Sequence, residues 1–196
     1  MKLTVRAHDT GANSVSGLLD RLETLGVDGA QLVCYKILED IPYVPGAITA
    51  EKAAAIGKAF AQSCGSVLGL EAASTHTCYD VQTLQKARKL IGGKSRVILD
   101  LVNLMDADNQ YNYMDVLKEA LDTFGDDILL FHIKDCKREN GKHPRIVPVG
   151  TGEMDYAEIL GAIKKWNPNA VLTLEETPNA YLDSAVKMIK ETWQRV

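Results

Sequence analysis

Paired cysteines are missing from this sequence. Cys34, Cys64, Cys78 and Cys136 are scattered and form no CxxC pair, which argues against a zinc knuckle or a dithiol redox motif. Reduced thiols in a cytoplasmic protein are expected. A basic surplus is missing too: the net charge is -4 and the pI about 5.6, so no nucleic-acid partner is expected. No apolar run approaches the ~20 residues that span a bilayer, and residues 1–6 do not read as a signal peptide, so no membrane partner is expected either. After the first apolar run, His8-Asp9-Thr10-Gly11-Ala12-Asn13 holds neither GxGxxG nor GxxxxGK[ST], which removes most support for a Rossmann or P-loop site. No linker or low-complexity segment divides the chain, and a single domain over residues 1–196 is expected.

What is present is an alternation of short apolar runs with helical periodicity. Leu3, Val5 and Ala7 alternate as in a strand. Val15, Leu18, Leu19, Leu22 and Leu25 recur at helical spacing after Asn13 or Ser14 and stop at Gly26. Further strands are predicted at 30–35, 66–70, 96–99, 128–131 and 171–174. Helices are predicted from Ala50 after Thr49, from Asp80, through Met114, Leu117, Leu121 and Phe124 to Gly125, and from a D-x-x-E capping box at Asp155 and Glu158. The last carries Leu182, Ala185, Val186, Ile189 and Trp193. Six such units of strand and helix indicate an α/β protein with a parallel sheet covered by helices.

The residues directly after the apolar runs carry the chemistry. Four successive strands end in Glu71, Asp100, His132 and Glu175. In parallel α/β folds the carboxyl ends of the strands form the active face. Three carboxylates and an imidazole there suit a divalent ion, Mn²⁺ or Mg²⁺ first and Zn²⁺ or Co²⁺ as alternatives. Any one of these acids alone reads as the first solvated residue of a loop, and a lone histidine as a core residue. Together they would repel one another without a cation. His8, at the end of the first strand, and Lys134, two residues after His132, are candidates for substrate contact. Lys134 also admits a Schiff-base reading. His76 and the run Lys137 to Lys142 read most simply as solvated loop. Glu176 competes with Glu175, and strand alternation should send the two to opposite sides.

The segments Leu99-Asp100-Leu101-Val102-Asn103-Leu104, Phe131-His132-Ile133-Lys134-Asp135, residues 148–156 and Leu172-Thr173-Leu174-Glu175 resemble successive signatures of the xylose-isomerase-like TIM-barrel superfamily, most closely its sugar phosphate isomerase/epimerase group. The resemblance implies a Glu–Asp–His–Glu metal quartet at Glu71, Asp100, His132 and Glu175, with the two glutamates doubling as acid–base groups. Asn103 stands where many members have a substrate-contacting histidine. A complete barrel of this kind has eight units and about 250 residues. The resemblance therefore implies a TIM-barrel-like protein of about six βα units that lacks two, with a seam near residues 62–66.

The function so implied is metal-dependent isomerisation or epimerisation of a small keto-sugar, sugar phosphate or polyol, by proton transfer through an enediolate. Dehydration or aldol cleavage of a similar keto-polyol is an alternative. So is a scaffold, evolved or engineered, that keeps a vestigial metal site without turnover. The shortened barrel is expected to close on six strands, stay open, or cover its edges by forming a homo-oligomer.

Overall fold

The computed structural model describes residues 1–12, 15–31, 68–76, 78–91 and 95–196. The helix predicted from Ala50, most of the second strand, the seam near 62–66, Cys34 and Cys64 lie outside the described residues. The elements follow the predicted alternation: β1 (Lys2–Arg6), α1 (Val15–Leu25), β2 (Gly29–Gln31), β3 (Leu68–Glu71), α2 (Val81–Ile91), β4 (Ser95–Asp100), α3 (Tyr113–Phe124) and β5 (Ile128–Ile133). A hairpin of β6 (Asp135–Lys137) and β7 (Arg145–Val147) comes next, then α4 (Tyr156–Trp166), β8 (Val171–Leu174) and α5 (Asn179–Arg195).

Six strands form one sheet in the order β2-β1-β8-β5-β4-β3, and every pair in it is parallel. The first strand sits beside the last, as it must when a βα repeat winds round toward closure. Among the described residues no ladder joins β2 to β3. The architecture is TIM-barrel-like and shortened, with five of the predicted βα pairings visible.

Strand alternation separates the two faces of this sheet. Leu3, Val5, Val97, Leu99, Phe131, Ile133, Leu172 and Leu174 are buried on the face that the helices cover. Phe131, for example, meets Trp166 of α4 edge to face at 5.5 Å. Burying each such side chain contributes about 1.5–3 kcal/mol. The opposite face carries Thr4, Arg6, Ile98, Asp100, Leu130, His132 and Thr173, and there Thr4 Oγ1 meets Thr173 Oγ1 at 2.7 Å. Polar residues therefore concentrate on the concave side. Gly69 lets the sheet close up there, because a Cβ would come within 2.8 Å of the Ile98 side chain.

Helix stops follow their turn chemistry. Gly26 ends α1 at φ 60° and Gly125 ends α3 at φ 48°, a region that glycine enters without steric cost. On α5, Leu182, Ala185, Val186, Ile189 and Trp193 are all buried, as the spacing predicts. On α3 the buried stripe is Tyr113, Leu117, Ala120 and Phe124, while Met114 and Leu121 are only partly buried. The predicted capping box is half present. Asp155 accepts from the N–H groups of Ala157 and Glu158, but its own N–H donates to the Tyr113 hydroxyl rather than to Glu158. No helix among the described residues is long and apolar enough to cross a membrane.

Candidate metal centre

Glu71 and Asp100 are the last residues of β3 and β4, His132 lies near the end of β5, and Glu175 directly follows β8. Because these strands are neighbours in register, with Asp100 opposite His132, their side chains meet on the concave face. One donor atom from each of the four lies within 4.8 Å of all the others. His132 Nδ1 is the hub, 2.9 Å from Glu175 Oε2, 3.3 Å from Glu71 Oε1 and 3.6 Å from Asp100 Oδ2. Burial works against a charged imidazole, but the carboxylates of Asp100, Glu175 and Glu71 outweigh it and push the His132 pKa up to about 11. For Glu175, burial is likewise overcome by His132, Lys134 and Arg6, and the carboxyl is held well below its usual range.

The chemistry of this donor set fits a divalent cation. Asp100 Oδ2 and Glu175 Oε2 are fully buried, and neither completes a hydrogen bond of acceptable geometry although nitrogens lie close by. Buried anionic oxygens without hydrogen bonds are costly, and an ion bound through oxygen removes that cost. Carboxylates and one imidazole are the donors that Mg²⁺, Mn²⁺ and Zn²⁺ take. A proton on His132 Nδ1 and an ion at the same nitrogen exclude each other.

Around the quartet sits a supporting layer. Asn103 donates from Nδ2 to Glu71 Oε1 at 2.7 Å and accepts from Lys134 Nζ at 3.0 Å, while its backbone N–H donates to Asp100 Oδ1 at 2.9 Å. Lys134 is buried and places Nζ 3.0 Å from Asp100 Oδ2 and 3.2 Å from Glu175 Oε2. Both residues are thus brought to the quartet. His8 lies in a short 3₁₀ turn after β1, and its side chain lies outside what is described. His76 is exposed on the loop after β3. Glu176 departs from the alternation that should turn it away. Its φ of 52° ends the strand geometry, and Oε1 comes within 3.0 Å of Arg6.

Three contributors escaped the sequence reading. Arg6 contacts Glu175 Oε1 and also holds both oxygens of Asp9, so it fixes the orientation of the Glu175 carboxylate. Its signal was parity: Leu3 and Val5 face the helices, so Thr4 and Arg6 face the site. Asp135 accepts hydrogen bonds from the backbone of Cys136, Gly150, Gly152 and Met154, and so folds residues 148–154 against the end of β5. Gln110, fully buried, donates to the carbonyls of Glu139 and Lys142 and accepts from the Glu139 N–H. It ties the loop between β6 and β7, which over residues 138–142 is the loop that the sequence suggests, to the connection after β4. Nothing local in the sequence marks Gln110 for that task.

Among known proteins, the model of the family described as xylose isomerase-like TIM barrel matches residues 8–192. No curated protein matches the chain. Solved structures with the same fold include a xylose isomerase domain protein from Planctomyces limnophilus, at 14% identity and TM-score 0.59, covering 100% of this chain and 77% of that one. A xylose isomerase-like TIM barrel protein from Mycobacterium smegmatis, in complex with magnesium, has 12% identity and TM-score 0.59, with 99% and 73% covered. An L-ribulose 3-epimerase has 14% identity and TM-score 0.55, with 100% and 76% covered. The match over nearly the whole chain, and four ligand-type side chains converging at the strand ends, lead to one conclusion: this chain belongs to the xylose isomerase-like TIM-barrel family.

Proposed function

We propose that the protein is a divalent-metal-dependent isomerase or epimerase of a small keto-sugar, sugar phosphate or related polyol, working by proton transfer through an enediolate. The observation that carries this reading is the convergence of Glu71, Asp100, His132 and Glu175, with two of their buried oxygens lacking hydrogen bonds. The magnesium-bound and epimerase structures of like fold support it. A divalent ion, when bound, supplies positive charge beside the carbonyl and hydroxyl oxygens of a substrate and so acidifies the carbon-bound proton between them.

Asp100 and His132, nearly sealed from solvent, hold the ion together with the two glutamates. Glu71, the more exposed glutamate at 29% against 11% for Glu175, faces the open end of the strands and removes the carbon-bound proton. Glu175, held ionised by His132, Lys134 and Arg6, is the second acid–base group, and it must first take up a proton from solvent before it can return one to the substrate carbon. Arg6 keeps Glu175 from turning away. Asn103 holds Glu71 by one oxygen, which leaves the other free to approach substrate. Lys134 and Asn103 border the space where substrate oxygens would lie. The non-enzymatic reading, a scaffold with a vestigial site, has no observation in its favour beyond the shortened sheet.

The test is hydrogen exchange. A panel of ketopentoses and ketohexoses, free and phosphorylated, is incubated in D₂O with Mg²⁺ and followed by NMR. Deuterium entry at the carbon beside the carbonyl, lost in Glu71→Gln, is the expected result. A protein that binds the ion yet catalyses neither exchange nor conversion on any member of the panel leaves the scaffold reading standing.

A further inference from the structure

Lys134 stands in an unusual place for a lysine. Its ammonium is buried among the ligands themselves, with Asp100 Oδ2 at 3.0 Å, Glu175 Oε2 at 3.2 Å and Asn103 Oδ1 at 3.0 Å. Its contact with Asn103 is a hydrogen bond, while the two carboxylate oxygens face it as ion pairs. Those two oxygens belong to the quartet, and they are the same two atoms that are buried without a hydrogen bond. Such a ring of oxygens at about 3 Å suits a cation without regard to how the charge is delivered. The chain delivers it covalently.

We propose that the Lys134 ammonium is a built-in second cation of the carboxylate cluster, and that it restricts the cluster to a single divalent ion. The proposal rests on the reading of the quartet as a metal site. Three carboxylates with one divalent ion and a neutral imidazole keep one unit of negative charge, which Lys134 cancels. Arg6 does not substitute for it, because Arg6 is already shared among Asp9, Glu175 and Glu176. A second divalent ion beside the ammonium would place like charges a few ångströms apart in a partly desolvated site, where repulsion is far stronger than in water. Lys134 is thus a positioning residue: it holds Asp100 Oδ2 and Glu175 Oε2 by ion pairing, and it sets how many ions they share.

Calorimetry with Mn²⁺ tests this without any need for turnover. The buffer cation is tetramethylammonium, which is too bulky to enter the Lys134 position. The wild-type chain is expected to bind one Mn²⁺. Folded Lys134→Ala is expected to bind two, and addition of methylammonium, which refills the vacated position, is expected to return it to one. Lys134→Met keeps the volume of the side chain without its charge. It is expected to bind one Mn²⁺, at least about tenfold more tightly than wild type, with no response to methylammonium. Lys134→Ala that binds one Mn²⁺ with wild-type affinity and ignores methylammonium overturns the proposal. So does folded Lys134→Ala that binds none. If wild type itself binds no Mn²⁺, the metal reading fails and the proposal falls with it, an outcome distinct from the other two.

Discussion

Asn103 is bonded on both sides of its amide, to Glu71 through Nδ2 and to Lys134 through Oδ1, and its backbone N–H holds Asp100. It touches two of the four ligands while supplying none of the donors. Outer partners of this kind typically govern affinity by 10–100-fold. Asn103→Ala is therefore expected to weaken Mn²⁺ binding by about 10–100-fold while leaving the melting temperature nearly unchanged; calorimetry and a thermal melt read the two quantities separately. Unchanged affinity would mean that Glu71 is oriented by His132 alone. At this scale the ligands were legible in the sequence because chemistry and position coincide: an acid or histidine directly after an apolar run has few other reasons to recur on four successive strands. Arg6 was not singled out, since an arginine closing a first strand looks like any solvated residue until Glu175, far along the chain, is placed beside it. Glu175 rather than Glu176 joins the quartet, as the sequence suggests, but Glu176 does not turn away from Arg6. Alternation holds only while the strand lasts, and the strand ends at Leu174.

The element that shapes the site's wall is the segment from β6 to α4. Asp135 gathers four backbone N–H groups, and Gly152 passes so close that a Cβ there would lie 2.6 Å from the Cys136 carbonyl oxygen. Gly152→Ala is expected to destabilise the fold by about 1–3 kcal/mol through this overlap, read as a shifted urea midpoint. An unchanged midpoint would mean that the turn opens freely. Asp155→Ala removes the cap of α4 and is expected to cost about 1 kcal/mol in the same assay. Helices and strands were legible here as periodicity, and Asp155 was legible as a cap. The hairpin was hidden because β6 and β7 have three residues each and their pairing is supported from outside, by Gln110 reaching across from the connection after β4.

For the whole molecule, the parallel sheet was legible from the repeat of strand and helix, and the polar concave face followed from alternation; the pairing of first strand with last came from the structure. How the two ends of the sheet are completed was not legible, because closure is a property of the assembled sheet and leaves no local pattern. We propose self-association through the ends of the sheet, since among the described residues no ladder joins β2 to β3 and a parallel edge without a partner invites another chain. Light scattering should then give a particle heavier than the 21.5 kDa protomer, and a mass equal to the protomer's would contradict that expectation. The central claim is that four strands of this shortened sheet still assemble a working ion site. Mn²⁺ titration by calorimetry, on wild type and on His132→Ala, tests it most directly. Saturable binding in wild type that is lost in a folded His132→Ala is the expected result. Absence of binding in wild type, or equal binding in the variant, would contradict the claim.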